Sequence, residues 1–330
     1  MFAFLSPNRW VTAVARLACG LGVIALPVSA QQKSPTIAFL MPCSTCADRF
    51  EGQDKPLFIE AVRKLDPAAK VIANNAQGSG EAQISQAEAA LTNGASVIVV
   101  SPFTEAAGAA IVDKAKAQNV PVVSYDGLIT GAPADFYISF QNERVGELQA
   151  KFLADHLPAG ATIAVINGSQ DIAPGRQFKA GAHKVLDPLV ATGRLVIGYD
   201  ADIQGFDPAK AQAAMEQGLT KLNDKVDGVL VANDGMAGAV ITALTARHLN
   251  GKVLVTGQDA SDAGLQRILA GDQTMSVYKA IKREAEAAAK VALALGRGDS
   301  ENVKDDGDRV SRQRRWSSAV YTVRAGGRNP

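Results

Sequence analysis

The chain has 330 residues, 47% hydrophobic and only 5% aromatic, which suits roughly two domains with cores of Ala, Val, Leu and Ile. Its formal net charge of +1 favours neither nucleic acid nor an acidic membrane surface as partner.

Residues 1–30 read as a signal peptide. Arg9 and Arg16 give a positive start, Leu17–Pro27 an apolar centre, and Val28-Ser29-Ala30 a small-residue cleavage site. A membrane anchor would need ~20 uninterrupted apolar residues, and Arg16 leaves this stretch too short. A lipoprotein signal at Cys19 is a weaker rival, because Arg16 stands where an apolar residue should precede it. Export with cleavage leaves Cys43 and Cys46 as the remaining cysteines. In an oxidising compartment these can form a tight disulfide; a thioredoxin-like redox pair is the alternative. A zinc site needs about four ligands, and His156, His183 and His248 form no spaced cluster with the cysteines. No metal and no cofactor is expected.

Thr36–Met41 is a continuous apolar run, as in a strand buried on both faces, and Ala47–Leu65 follows with helical spacing. Lys70–Asn74 is the second strand, and Ser79 looks like the cap of the next helix. The Gly78-Ser79-Gly80 turn lacks the spacing of a phosphate loop. Val97–Val100, Val120–Ser124 and Phe136–Phe140 are further strands, and Asn142–His156 is a helix. The plan then restarts. Strands are expected at Thr162–Asn167, Leu195–Tyr199, Val229–Ala232, Lys252–Thr256 and Thr274–Tyr278. Helices are expected at Gly175–Leu186, Ala209–Leu222, Asp262–Ala270 and Arg283–Leu295.

The restart is a repeat. Val97–Asp126 and Val229–Asp259 each run from an apolar strand through a polar turn and an Ala-rich helix to a second apolar run ending in Asp. A repeat this long means two similar lobes, not a solenoid. Strands alternating with helices predict an α/β fold with two parallel sheets, each covered on both faces. Ligands of such sheets bind beyond the carboxyl ends of the strands, so those residues should line one cleft between facing lobes.

Asp126 and Asp259 fall at equivalent points, one per lobe. A carboxylate accepts hydrogen bonds only and suits vicinal hydroxyls. Arg49, Arg176 and Lys279 supply donors that can bridge carboxylates and ligand, Asn233 offers both donor and acceptor, and Phe50 and Phe206 can flank the C–H face of a sugar ring. Glycosidase chemistry needs two carboxylates in complementary settings, whereas these two sit in matching ones. No nucleophile elbow, metal set or His-assisted nucleophile is present, so no catalytic residue is assigned and a hinge-closing binder is expected.

Three segments carry a resemblance: Tyr137–Leu153 (YISFQNERVGELQAKFL), Gly257–Gly264 (GQDASDAG) and Gln273–Ile281 (QTMSVYKAI). With their flanks, from about Pro35 to Gly298, they resemble the periplasmic solute-binding proteins of sugar ABC transporters, in the D-xylose-binding branch of the ribose-binding type. The resemblance implies two Rossmann-like lobes joined by a hinge of three crossovers (periplasmic binding protein type I), closing over a monosaccharide such as an aldopentose. It places lobe 1 at 35–140 plus 279–300 and lobe 2 at 141–278. The ligand positions it implies are Arg49, Phe50, Asp126, Arg176, Phe206, Asn233, Asp259 and Lys279. It further implies a periplasmic monomer that delivers sugar to an inner-membrane ABC permease, with a sensor kinase or chemoreceptor as the alternative partner.

Three departures stand out. The first loop reads PCSTCADRFEGQDKP, with an insertion near Gly52. Gly127 stands where xylose binders carry an arginine, which weighs against xylose itself and leaves a sugar expected. Residues 301–330 form an atypical basic tail, lacking the apolar strand of the third crossover and expected to be poorly ordered.

Overall fold

The computed structural model describes residues 34–299 and the backbone of 314–318 and 321–323; the signal-peptide reading of residues 1–30 lies outside the described residues. Apolar β-branched runs make the strands. In β1 (Thr36–Met41), every residue after Thr36 is buried. Ile37, Phe39 and Met41 alternate with Ala38 and Leu40, so the two sets fill different cores on opposite faces of one sheet. The chain continues through α1 (Lys55–Leu65), β2 (Lys70–Asn75), α2 (Gly80–Thr92), β3 (Val97–Val100), α3 (Glu105–Lys116), β4 (Val122–Tyr125) and β5 (Phe136–Phe140). Ser79 and Thr104 cap α2 and α3 by accepting from Ala82 N and Ala107 N.

The second round comprises α4 (Asn142–His156), β6 (Ala161–Asn167), α5 (Ala173–Ala191), β7 (Leu195–Asp202), α6 (Pro208–Leu222), β8 (Gly228–Val231), α7 (Asp234–Ala246), β9 (Leu254–Val255), α8 (Asp262–Ala270) and β10 (Ser276–Tyr278). Then come α9 (Ile281–Gly296), β11 (Arg314–Ser318) and β12 (Tyr321–Val323). The first sheet has the order β11-β5-β4-β3-β1-β2 and the second β7-β6-β8-β9. Both sheets are parallel throughout. In each round the second strand lies outside the first and the third lies inside it. The repeat in the sequence is therefore a repeat of topology.

The lobes connect where β5 runs into α4 and where β10 runs into α9, which packs back on α1 and the first sheet. Lys279 and Ala280 form the second crossing. The expectation that 301–330 carries no strand is corrected at the described residues: β11 extends the first sheet beside β5, and β12 pairs antiparallel with β10. Exposed strand edges recruit partners through the backbone, which needs no apolar pattern. A further correction concerns the helix expected from Ala47. Phe50–Asp54 is a π-helical turn leading into α1. A wider turn of this kind takes one more residue than an α-helical turn while keeping the helix continuous.

Helices α4 and α5 touch through glycines. A Cβ on Gly146 would lie 1.9 Å from Phe178 O, and one on Gly181 would lie 1.9 Å from Glu143 O. Only hydrogen at both positions allows this approach.

Candidate functional site

The two repeat aspartates adopt the same unusual backbone. Asp126 has φ 59° and Asp259 has φ 93°, in the left-handed region that disfavours side chains. Each is held there by the next strand: Asp126 N donates to Ile138 O (2.8 Å) and Asp259 N to Val277 O (2.9 Å). Strain of this kind persists where surrounding structure imposes it, and it gathers at functional sites. Both carboxylates turn towards Lys279, whose Nζ lies 3.6 Å from Asp126 Oδ1 and 3.7 Å from Asp259 Oδ1. The lysine is 2% exposed, so it balances two acids away from bulk water.

Arg49, also 2% exposed, anchors the first lobe's side of the site. Its Nε and Nη2 donate to Asp54 (2.8 and 2.6 Å), Nη1 to Asp126 (3.0 Å), and Nη2 to Glu284 of α9 (2.5 Å). Of its five N–H groups, one on Nη1 remains for a ligand. Tyr125 OH also donates to Asp54. Burial alone would lower the Arg49 pKa, but Asp54, Asp126 and Glu284 push it well above its ordinary value. Burial drives the Glu284 pKa well up, against the pull of Arg49. For Asp126, burial is outweighed by Lys279 and Arg49, and its pKa falls. For Asp259 burial prevails over Lys279 and Arg49, and its pKa rises. The carboxylates are thus equivalent in backbone and unequal in charge environment.

One cavity of about 580 Å³ of empty space, partly open to solvent, collects these groups. Arg49, Phe50, Asp126, Phe206, Asn233, Asp259 and Lys279 line it, as does Gly127. Asp259 Oδ1 and Gln258 Oε1 are buried there without a hydrogen-bond partner. Buried acceptors normally find donors, so both call for hydroxyl or N–H groups from an occupant. Asn233 is half used: its Oδ1 accepts from Met236 N (2.9 Å) and caps α7, while its Nδ2 donates to Cys46 O (2.8 Å).

Arg176 is the exception. It leaves the cavity, donating to Gln170 O (2.7 Å) and pairing with Glu105 of α3. With 41% of its side chain exposed, its charge is spent at the mouth, joining the lobes. Sequence reading placed Gln258 at the cleft without a ligand role and passed over Ser101, Phe103, Ser169 and Phe178, all of which line the cavity. Ser101, Phe103 and Ser169 fall within three residues of the ends of β3 or β6, so the strand-end rule finds them once applied to every strand. Phe178 lies inside a helix at core spacing and carries no such signal. Its ring meets Phe206 edge-on at 6.4 Å and lies 5.2 Å from Lys279 Nζ.

Behind the second lobe's wall, Asp234 fastens the loop that presents Gln258 and Asp259. It accepts from Ser261 N (2.9 Å), Gln273 Nε2 (2.7 Å) and Ser276 Oγ (2.9 Å). Burial and the Asp259 charge raise its pKa to about 6. The loop passes so close that a Cβ on Gly257 or Gly264 would fall 2.1 or 2.3 Å from its carboxylate.

A D-xylose-binding periplasmic protein of Escherichia coli (strain K12) is 42% identical to the chain over 246 residues, covering 74% of each. Its Haemophilus influenzae counterpart is 38% identical, over 75% of this chain and 74% of that protein. The crystal structure of a carbohydrate transporter solute-binding protein from Chloroflexus aurantiacus, in complex with D-glucose, superposes with TM-score 0.77 at 28% identity. That match covers 88% of this chain and 93% of the other. Residues 37–300 match the periplasmic binding protein domain, and with paired parallel sheets sharing one polar cavity the chain belongs to that family.

Proposed function

We propose that this protein captures a monosaccharide between its lobes and hands it to an ABC permease in the membrane, as an exported, non-catalytic receptor of the periplasm. The observation that carries this reading is the convergence of Asp126 and Asp259 on Lys279 inside one cavity. Asp126, Asp259 and Gln258 accept from sugar hydroxyls, while Arg49, Asn233 and Lys279 donate to ring and hydroxyl oxygens. Phe50 and Phe206 cover the apolar C–H faces. A neutral polyol suits the site because it satisfies unpartnered acceptors without adding charge to a buried cluster. The names of the xylose-binding relatives and of the glucose-bound structure support an aldose. Gly127 sets no donor on the wall beside Asp126, and a Cβ there would already meet Pro102 at 3.0 Å.

Calorimetric titration with pentoses, hexoses, deoxysugars and sugar acids tests this directly. One aldose should bind clearly better than the rest. Asp126→Asn should weaken it by about 30-fold or more, since removing one partner of a buried charge pair costs about 2–5 kcal/mol. Failure of every sugar to bind, or undiminished affinity in the variant, refutes the reading.

A further inference from the structure

The CSTC turn has no part in the sugar contacts above, yet it makes a direct hydrogen bond from one lobe to the other. Cys43 and Cys46 are disulfide-bonded and buried. On the first lobe's side the turn is fastened by Gly78 N donating to Pro42 O (2.9 Å) and by Gln77 Nε2 donating to Ser44 Oγ (3.1 Å). On the other side, Cys46 O accepts from Asn233 Nδ2 across the cleft (2.8 Å). Asn233 cannot turn freely to find this carbonyl, because its Oδ1 is committed to the α7 cap. The carbonyl must be brought to it. Cys46 also lines the cavity, three residues before Arg49.

We propose that the Cys43–Cys46 disulfide is a positioning element for ligand retention: it sets the turn so that Cys46 O meets Asn233 on closure, and opening the bond loosens the closed state. The proposal rests on the sugar-receptor reading and adds a thiol-sensitive control to the same site. Opening the bond consumes two electrons and two protons from a dithiol reductant. It leaves two thiols on the chain and a disulfide on the reductant. The ring closed by the bond spans only four residues, so its loss frees the turn without releasing the strand before it or the helix after it. The rim pair of Arg176 with Glu105 remains, so closure is weakened and not abolished.

The test is stopped-flow binding of the sugar found by titration, with oxidised protein, reduced protein and the Cys43→Ser/Cys46→Ser variant. Release should quicken by about 5–10-fold in the last two, with the association rate nearly unchanged, because lost contacts act mainly on dissociation. Asn233→Asp keeps a cap acceptor and loses the donor to Cys46 O. Because Asn233 also contacts the sugar, release should quicken in both forms, but by a larger factor in oxidised than in reduced protein, since coupled residues are non-additive. A turn with a merely structural role would give additive effects. Circular dichroism checks that each form stays folded, and reduced wild type stands in for a variant that does not fold. Equal release from oxidised and reduced protein, or additive effects, overturns the clasp alone. No sugar binding by the oxidised protein overturns the clasp and the receptor reading together.

Discussion

Replacing Arg49 by Met tests whether the buried ion network is a structural necessity. The change keeps an unbranched side chain of similar reach and removes four hydrogen bonds to Asp54, Asp126 and Glu284. The penalty falls on Asp54, Asp126 and Glu284, of which Asp126 keeps Lys279 at 3.6 Å. Removing one partner of a buried pair costs about 3–5 kcal/mol. At about 2–4 °C per kcal/mol for a chain of this size, the melting temperature should fall by about 6–20 °C at pH 7. The loss should also depend on pH. The Asp126 pKa is depressed in the fold, so its stabilising contribution is present above the ordinary carboxylate range and disappears as pH falls through the folded value. Wild type therefore loses stability on acidification while the variant, already without that contribution, loses less. Thermal melts followed by circular dichroism at pH 7 and at about pH 2.5 measure both effects. A loss below about 1 kcal/mol at pH 7, with no narrowing at the acidic pH, refutes the argument that Arg49 compensates these acids.

Gly146→Ala should separate α4 from α5, because the added methyl would meet the Phe178 carbonyl and Ala182 N, both backbone. A loss of about 1–3 kcal/mol or more is expected, with weaker sugar binding through the displaced Phe178; an unchanged melting curve would contradict the close approach. Asp234→Asn addresses pH dependence in the second lobe. The Asp234 pKa of about 6 exceeds its unfolded value of about 4, so its contribution is complete at low pH and is lost as pH rises through 6. Wild type should thus lose up to about 3 kcal/mol relative to the variant between pH 4 and pH 8, measured by urea unfolding, and a pH-independent difference would exclude this ionisation.

Local chemistry decided which features were legible in the amino-acid sequence. The strands of each round could be read because burial on both faces demands unbroken apolar runs, as in Val97–Val100. Asp126 and Asp259 could be read because duplication set them at the same point twice. Their left-handed backbone could not, since it depends on hydrogen bonds to β5 and β10. Arg176 was misplaced for a related reason: a helix start near the cleft fixes where the residue begins, and the position of Glu105 decides where its side chain ends. Phe103 and Phe178 look like ordinary core residues along the chain. Only the facing lobe turns them into cavity wall. The strands at 314–318 and 321–323 pair through their backbones, a preference that composition barely records.

Lys279 belongs to neither lobe's wall but to the short connection between β10 and α9. The cation that reconciles the two acids therefore sits in the link between the two sheets. Bending this connection must change both separations together, so repulsion between the carboxylates is relieved only over a narrow range of angles. An occupant that fits both acids has its say over the angle directly, with no relay through intervening layers.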